Sequence, residues 1–270
     1  MVVRRVVALT RQYSWIILGI LLLCAVSLLP PDTSLSEVKA DGTLTACVPA
    51  EREPLVMSDP QRPGVEVELL TQIASAIGVK LQLNTIASMG EDFDPQSWGI
   101  TRAQCAVVAG GLVDSTQTRS FLEVSPSYAE TGWVAISPKE LPSLEGRSVG
   151  VLATVQGFNR IALASYLRSQ GVQMRILRTG DELVQGLATG AFDAGITEAL
   201  MGESLSTGKN WLIRPLPAPL ERYPLVFGLW KGDLTLKRAV DDAFDRMQAD
   251  GRLAAVLKKY GVVGAPGEGP

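Results

Sequence analysis

The sequence has 270 residues, 46% hydrophobic and 20% charged, with a formal net charge of −3, a globular composition long enough for one large domain or two small ones. Removing residues 1–40 takes away four cations and two anions and leaves a body of net charge −5 without a basic run, which argues against nucleic-acid binding. Histidine is absent, so Ser–His and Cys–His nucleophiles and imidazole-ligated zinc are excluded, and neither a metal site nor a cofactor is expected.

The chain begins MVVRRVVALTRQYS, with three Arg and no acid, and runs into an apolar stretch of 15 residues, Trp15 to Leu29, closed by Pro30-Pro31. A positive flank before such a stretch keeps the Arg cluster cytoplasmic and carries everything after Pro31 across the membrane. Fifteen residues is long for the apolar part of a signal and short for a span of about 20, so a cleaved signal and a membrane anchor both stand. Residues 1–40 are read as that segment with its linker. Cys24 ends LLLC, but Leu23 is bulky where a lipidation signal carries Gly or Ala.

DGTLTACVPA (41–50) reads as a strand that stops at a Pro turn. In GVEVELLTQIASAIG, Leu69, Leu70, Ile73 and Ile77 recur at helical spacing with Gly78 as the C-cap, and VKLQLNTI alternates like a strand. CAVVAGGLV is a short continuous apolar run, expected to be a strand buried on both faces. A second series follows: SVGVLA (strand), VQGFNRIALASYLRSQG (helix closed by Gly171), VQMRILR (strand), GDELVQGLATG (helix closed by Gly190) and FDAGITEAL (strand). Alternating strands and helices imply parallel sheets with helices on both faces. PLVFGLWKG leads into a last amphipathic helical stretch in which Val240, Ala243, Phe244, Met247, Leu253, Val256, Leu257 and Tyr260 keep the i, i+3, i+4, i+7 rule. The Gly/Pro-rich tail 263–270 is expected to be flexible.

Four segments in series resemble the bacterial extracellular solute-binding proteins of family 3: GVEVELLTQIASAIGV, LEVSPSYAETGWVAI, GLATGAFDAGITE and AVDDAFDRMQADGRLAAVLKKYG. The resemblance covers about residues 42–262. It implies an α/β, two-lobed periplasmic-binding-protein fold of type II with two crossover strands, here behind an N-terminal hydrophobic helix. The first lobe would be 42–132 and 225–262, the second 137–220, and the crossovers GWVAI and PLVFGL.

In that family an Arg from the first lobe grips the ligand carboxylate and an acid from the second holds its ammonium. A planar guanidinium suits a carboxylate because it donates two parallel hydrogen bonds. Counting back from VSPSY places the family Arg at Thr118, and counting forward from AGG places it at Gln117; Arg119 lies just beyond. Arg119 is therefore either the clamp or a solvated loop residue, and the first reading pairs it with Glu198 as the two poles of the site. Glu198, at the end of a second-lobe strand, matches the ammonium acceptor, with a surface ion pair as the alternative. Thr154 matches a family Ser/Thr that receives carboxylate oxygen, or serves as an N-cap. Gly110 and Gly111 lie at the cleft end of their strand. The first loop, AEREPLV, carries Arg52 and Leu55 where the family has aromatics, which makes Arg52 the next candidate cation, and Trp98 and Tyr128 remain as cleft walls or core.

The resemblance implies a non-enzymatic binding protein that closes on a small polar or amino-acid-like solute and delivers it to an ABC permease. A membrane-tethered sensor, a degenerate scaffold and a cyclohexadienyl-dehydratase-like enzyme with Glu198 as general acid are the alternatives. Cys47 and Cys105 are expected to stay free thiols despite export. On the parallel strands the resemblance implies, the two would be offset by about 10 Å, beyond the roughly 7 Å a disulfide tolerates.

Overall fold

The computed structural model describes residues 16, 18–21, 31–89, 95–152 and 158–262. Most of the apolar run 15–29, Cys24, Thr154 and the tail 263–270 lie outside the described residues. Among the described residues no helix is long and apolar enough to cross a membrane.

Helix α1 (Ser34–Asp41) occupies what reads as linker in the sequence, and the Ser34 hydroxyl lies 3.1 Å from that of Thr235. Strands β1 (Thr43–Val48), β2 (Lys80–Thr85) and β3 (Val107–Val113) surround helix α2 (Val65–Ile77), which ends on Gly78 as its spacing predicts. A short helix α3 (Thr116–Phe121) and strand β4 (Leu122–Val124) lead to the long β5 (Ala129–Ser137). The second series is β6 (Ser148–Leu152), α4 (Arg160–Ser169), β7 (Gln173–Leu177), α5 (Gly180–Thr189), β8 (Ala194–Glu198), α6 (Ala199–Ser206) and β9 (Leu212–Pro215). Strand β10 (Arg222–Trp230) and helices α7 (Leu234–Ala249) and α8 (Arg252–Tyr260) return the chain to the first half.

The strand order is β2-β1-β3-β10-β5-β8-β6-β7, with β4 on β10 and β9 on β5. β5 divides its partners along its length. Ala129–Gly132 pair antiparallel with β10, and Trp133–Ile136 pair with β8. β10 likewise pairs with β5 at its start and with β3 and β4 further on. These two strands are the crossovers, and they join two α/β lobes, each with a parallel core of strands.

In the first lobe the period of two sorts β1 and β3 onto two faces. Leu44, Ala46, Val48, Val107 and Ala109 pack in the core that includes α2, α7 and α8. Cys47, Val108 and Leu112 pack against Met89, Trp98 and Ile100 of the 86–106 excursion.

That excursion overturns the free-thiol expectation. Cys47 and Cys105 are joined in a disulfide with Cα atoms 5.4 Å apart. Cys105 is not part of β3, which begins at Val107; it closes the turn before the strand, so the straight-strand offset does not apply. Two more differences matter to the site. The stretch after β3 is helix α3, capped by the Ser115 hydroxyl on the Thr118 N–H, and not an irregular loop. The strand in FDAGITEAL stops at Glu198, because that residue caps α6.

Candidate functional site

Gly110 and Gly111 sit at φ +105° and +81°, a left-handed backbone that side chains resist. A Cβ on Gly110 would fall 2.3 Å from Pro49 Cδ, and one on Gly111 3.1 Å from Arg52 Nε. The two glycines thus let the loop after β1 lie directly on the end of β3. They also turn two successive N–H groups toward the Glu66 carboxylate, at 2.9 Å for Gly111. Tyr128, fully buried and stacked on Phe227 at 5.3 Å, donates its hydroxyl to the same carboxylate. Burial raises the pKa of Glu66, and the hydrogen bonds from Tyr128, Gly111 and Gly110 and the charge of Arg52 oppose that rise. Burial, then Glu66, push the Tyr128 phenol well above its ordinary range.

Glu198 is 4% exposed and caps α6, accepting from the Leu200 and Met201 N–H groups at 3.0 Å each and from the Thr131 hydroxyl. Beside it Phe158 meets Trp133 edge-on at 5.4 Å and stacks on Tyr223 at 4.7 Å. Further out, a groove of about 480 Å³ lies between the loop after β1 and the α6–β9 region, lined by Glu53, Arg62, Glu203, Lys209, Trp211 and Tyr260. The Ser204 hydroxyl reaches Glu53 across it at 3.2 Å, a direct contact between the lobes. Among the described residues, no group of three or more acids and cysteines could hold a metal.

A family pattern for bacterial extracellular solute-binding proteins, family 3, matches residues 34–263. The chain belongs to that family. It is 27% identical over 237 residues to the L-cystine-binding protein TcyJ of Escherichia coli strain K12, across 84% of this chain and 85% of TcyJ. In fold it is similar to the second substrate-binding domain of Lactococcus lactis GlnP in its open conformation. There the TM-score is 0.67 with 16% identity, over 81% of this chain and 95% of that one. It is also similar to an ancestral amino-acid-binding protein described as a precursor of cyclohexadienyl dehydratase, with a TM-score of 0.58 and 18% identity over 84% and 98% of the chains.

Within this family 3 fold the residues singled out from sequence fall into separate places. Gly110, Gly111 and Tyr128 meet around Glu66, with Arg52 beside them. Trp98, within the excursion, packs in the core with Cys47 and Cys105. The Arg119 side chain is 58% exposed and chelates Asp114 through two hydrogen bonds of 2.5 and 2.7 Å. Glu66, Thr131, Trp133, Phe158 and Tyr223 were not apparent from the sequence. For Glu66 a signal exists: with Leu69, Leu70 and Ile73 it completes the i, i+3, i+4, i+7 stripe, which puts a carboxylate on the buried face of α2.

Proposed function

We propose that this chain captures an amino-acid-like solute between its lobes on the extracytoplasmic side and delivers it to an ABC permease, without catalysis. The lobes are taken as 42–132 with 225–262, and 137–220, and residues 1–40 as the signal or anchor that brings them across the membrane. The observation that carries the site is the placing of opposite charges at the ends of two strands: Arg52 lies against Gly111 at the end of β3, and the buried Glu198 ends β8 and accepts from Thr131 of the crossover strand β5. Arg52 would take the ligand carboxylate and Glu198 its ammonium, so closure would require a ligand to separate and satisfy both. Arg119 is the second cation in line, because its side chain lies exposed on helix α3 and pairs with Asp114 at the surface. A binding role suits Glu198 better than acid catalysis, since three donors already fix its carboxylate. The Cys47–Cys105 disulfide fits an oxidising compartment.

The test is a thermal-shift screen of amino acids, polyamines and small dicarboxylates, followed by calorimetry on each hit. A ligand should raise the melting temperature in a concentration-dependent way. Arg52→Ala and Glu198→Gln should each weaken binding roughly 10- to 150-fold, the range for a lost hydrogen bond to a charged group. Arg119→Ala should change affinity by no more than about threefold, as for an exposed ion pair. The reverse order of effects would move the carboxylate clamp to Arg119.

A further inference from the structure

Trp133 stands where β5 leaves one lobe for the other. Gly132 still pairs with Arg222 of β10, and Trp133 is the first residue paired with β8. Its direct partner there is Glu198. Directly opposed residues of an antiparallel pair project from one face, with Cβ atoms about 4.5–5.5 Å apart, and alternate residues of a strand share that face. Thr131, two residues earlier, is opposite Tyr223. Register alone therefore gathers Trp133, Glu198, Thr131 and Tyr223 on one face. The Thr131–Glu198 hydrogen bond and the packing of Phe158 on both Trp133 and Tyr223 agree with it. The face lies at the carboxyl end of β8 and the start of α6, the side on which open α/β sheets take their ligands.

Trp133 is 3% exposed, and its indole N–H, which can only donate, has no hydrogen-bond partner among the described residues. Burying an unmade donor is destabilising, and native folds keep few of them. Here the residue that carries the donor is the direct cross-strand partner of a buried acid. An α-amino acid carries an acceptor and a cation on a single carbon, so one cross-strand pair can read both.

We propose that the Trp133 indole N–H binds a carboxylate oxygen of the ligand while Glu198 holds the neighbouring ammonium. The proposal rests on the amino-acid reading above and adds a second carboxylate donor to Arg52. It also accounts for the Gln and Thr at the positions where the family clamp would stand. Phe158 packs on the indole in this form, so access requires Phe158 to withdraw as the lobes open.

The experiment measures binding of L-glutamine, L-arginine and L-cystine, and of 4-aminobutanamide, agmatine and cystamine, which lack the carboxylate. The full-length chain is compared with Trp133→Phe, which keeps a ring and removes the N–H. The variant should bind the amino acids that the wild type binds roughly 5- to 50-fold more weakly, with unchanged affinity for the amines. Equal binding in both proteins overturns the proposal, and so does an equal loss for amines and amino acids, which would make Trp133 a packing residue. A wild type that binds no amino acid overturns the proposed function and this inference with it. Should the variant not fold, the assigned Trp133 indole 15N–1H resonance of the wild type serves instead. It should shift when a bound amino acid is added, and an unmoved resonance overturns the proposal.

Discussion

Replacing Glu66 by Ala should lower the free energy of unfolding by about 3–5 kcal/mol, as expected when several buried donors lose their acceptor. The carboxylate accepts from the Gly110 and Gly111 N–H groups and from the Tyr128 hydroxyl, and Ala leaves all three buried without an acceptor. Glu66→Gln keeps one oxygen for Gly111 and Tyr128 but turns an amide N–H₂ toward Gly110, so about half of the loss is expected. The pH dependence has a definite sign. Burial raises the Glu66 pKa above its ordinary value of 4.5. Such a carboxyl contributes stability that is complete below the unfolded-state pKa and is lost as pH rises through the raised folded-state pKa. The deficit of Glu66→Ala should therefore be greatest below pH 4.5 and shrink as the pH climbs through that window. Urea unfolding midpoints at a series of pH values measure it. A deficit constant with pH would remove the raised pKa, and a wild-type midpoint for the variant would remove the buried network itself.

Much of the architecture was legible because periodicity is a local property. The stripes of α2 and α7 and the unbroken apolar run of β3 each imply one buried face or two, and the folded chain has them. The elements that escaped notice are short and are set by partners distant in sequence or by single caps. Helix α3 owes its start to the Ser115 hydroxyl, α6 to the Glu198 carboxylate, and β9 to pairing with β5 more than 70 residues away. The site follows the same division. Glu198 could be picked out as a strand-end acid, while its duty as a helix cap depends on where the strand stops. The environment of Glu66 depends on donors 44, 45 and 62 residues along the chain, which no local pattern encodes. The cysteines failed for a geometric reason: spacing along a strand was extended two residues past the strand's actual start.

Removing the Cys47–Cys105 disulfide should destabilise the protein by about 4 kcal/mol, the chain-entropy cost of freeing a loop this long in the unfolded state. The two cysteines are 58 residues apart, and the last part of that loop is the 86–106 excursion. It covers one face of β1 and β3 with Met89, Trp98 and Ile100, and the Ser88 hydroxyl on the Trp98 carbonyl holds it at 2.7 Å. Without the disulfide only noncovalent contacts keep the excursion in place, the Trp230 indole on the Cys105 carbonyl and the Arg102–Asp233 pair among them, so hydrogen exchange should quicken there ahead of α2 and α7. The effect should also reach the site, since Cys47 lies two residues before Pro49, which packs on Gly110, and five before Arg52. Urea unfolding of the oxidised protein, the reduced protein and the Cys47→Ala/Cys105→Ala variant tests the argument. The last two should share a lowered midpoint. A reduced protein as stable as the oxidised one would mean that the two sulfurs are not bonded, and the free-thiol expectation would return.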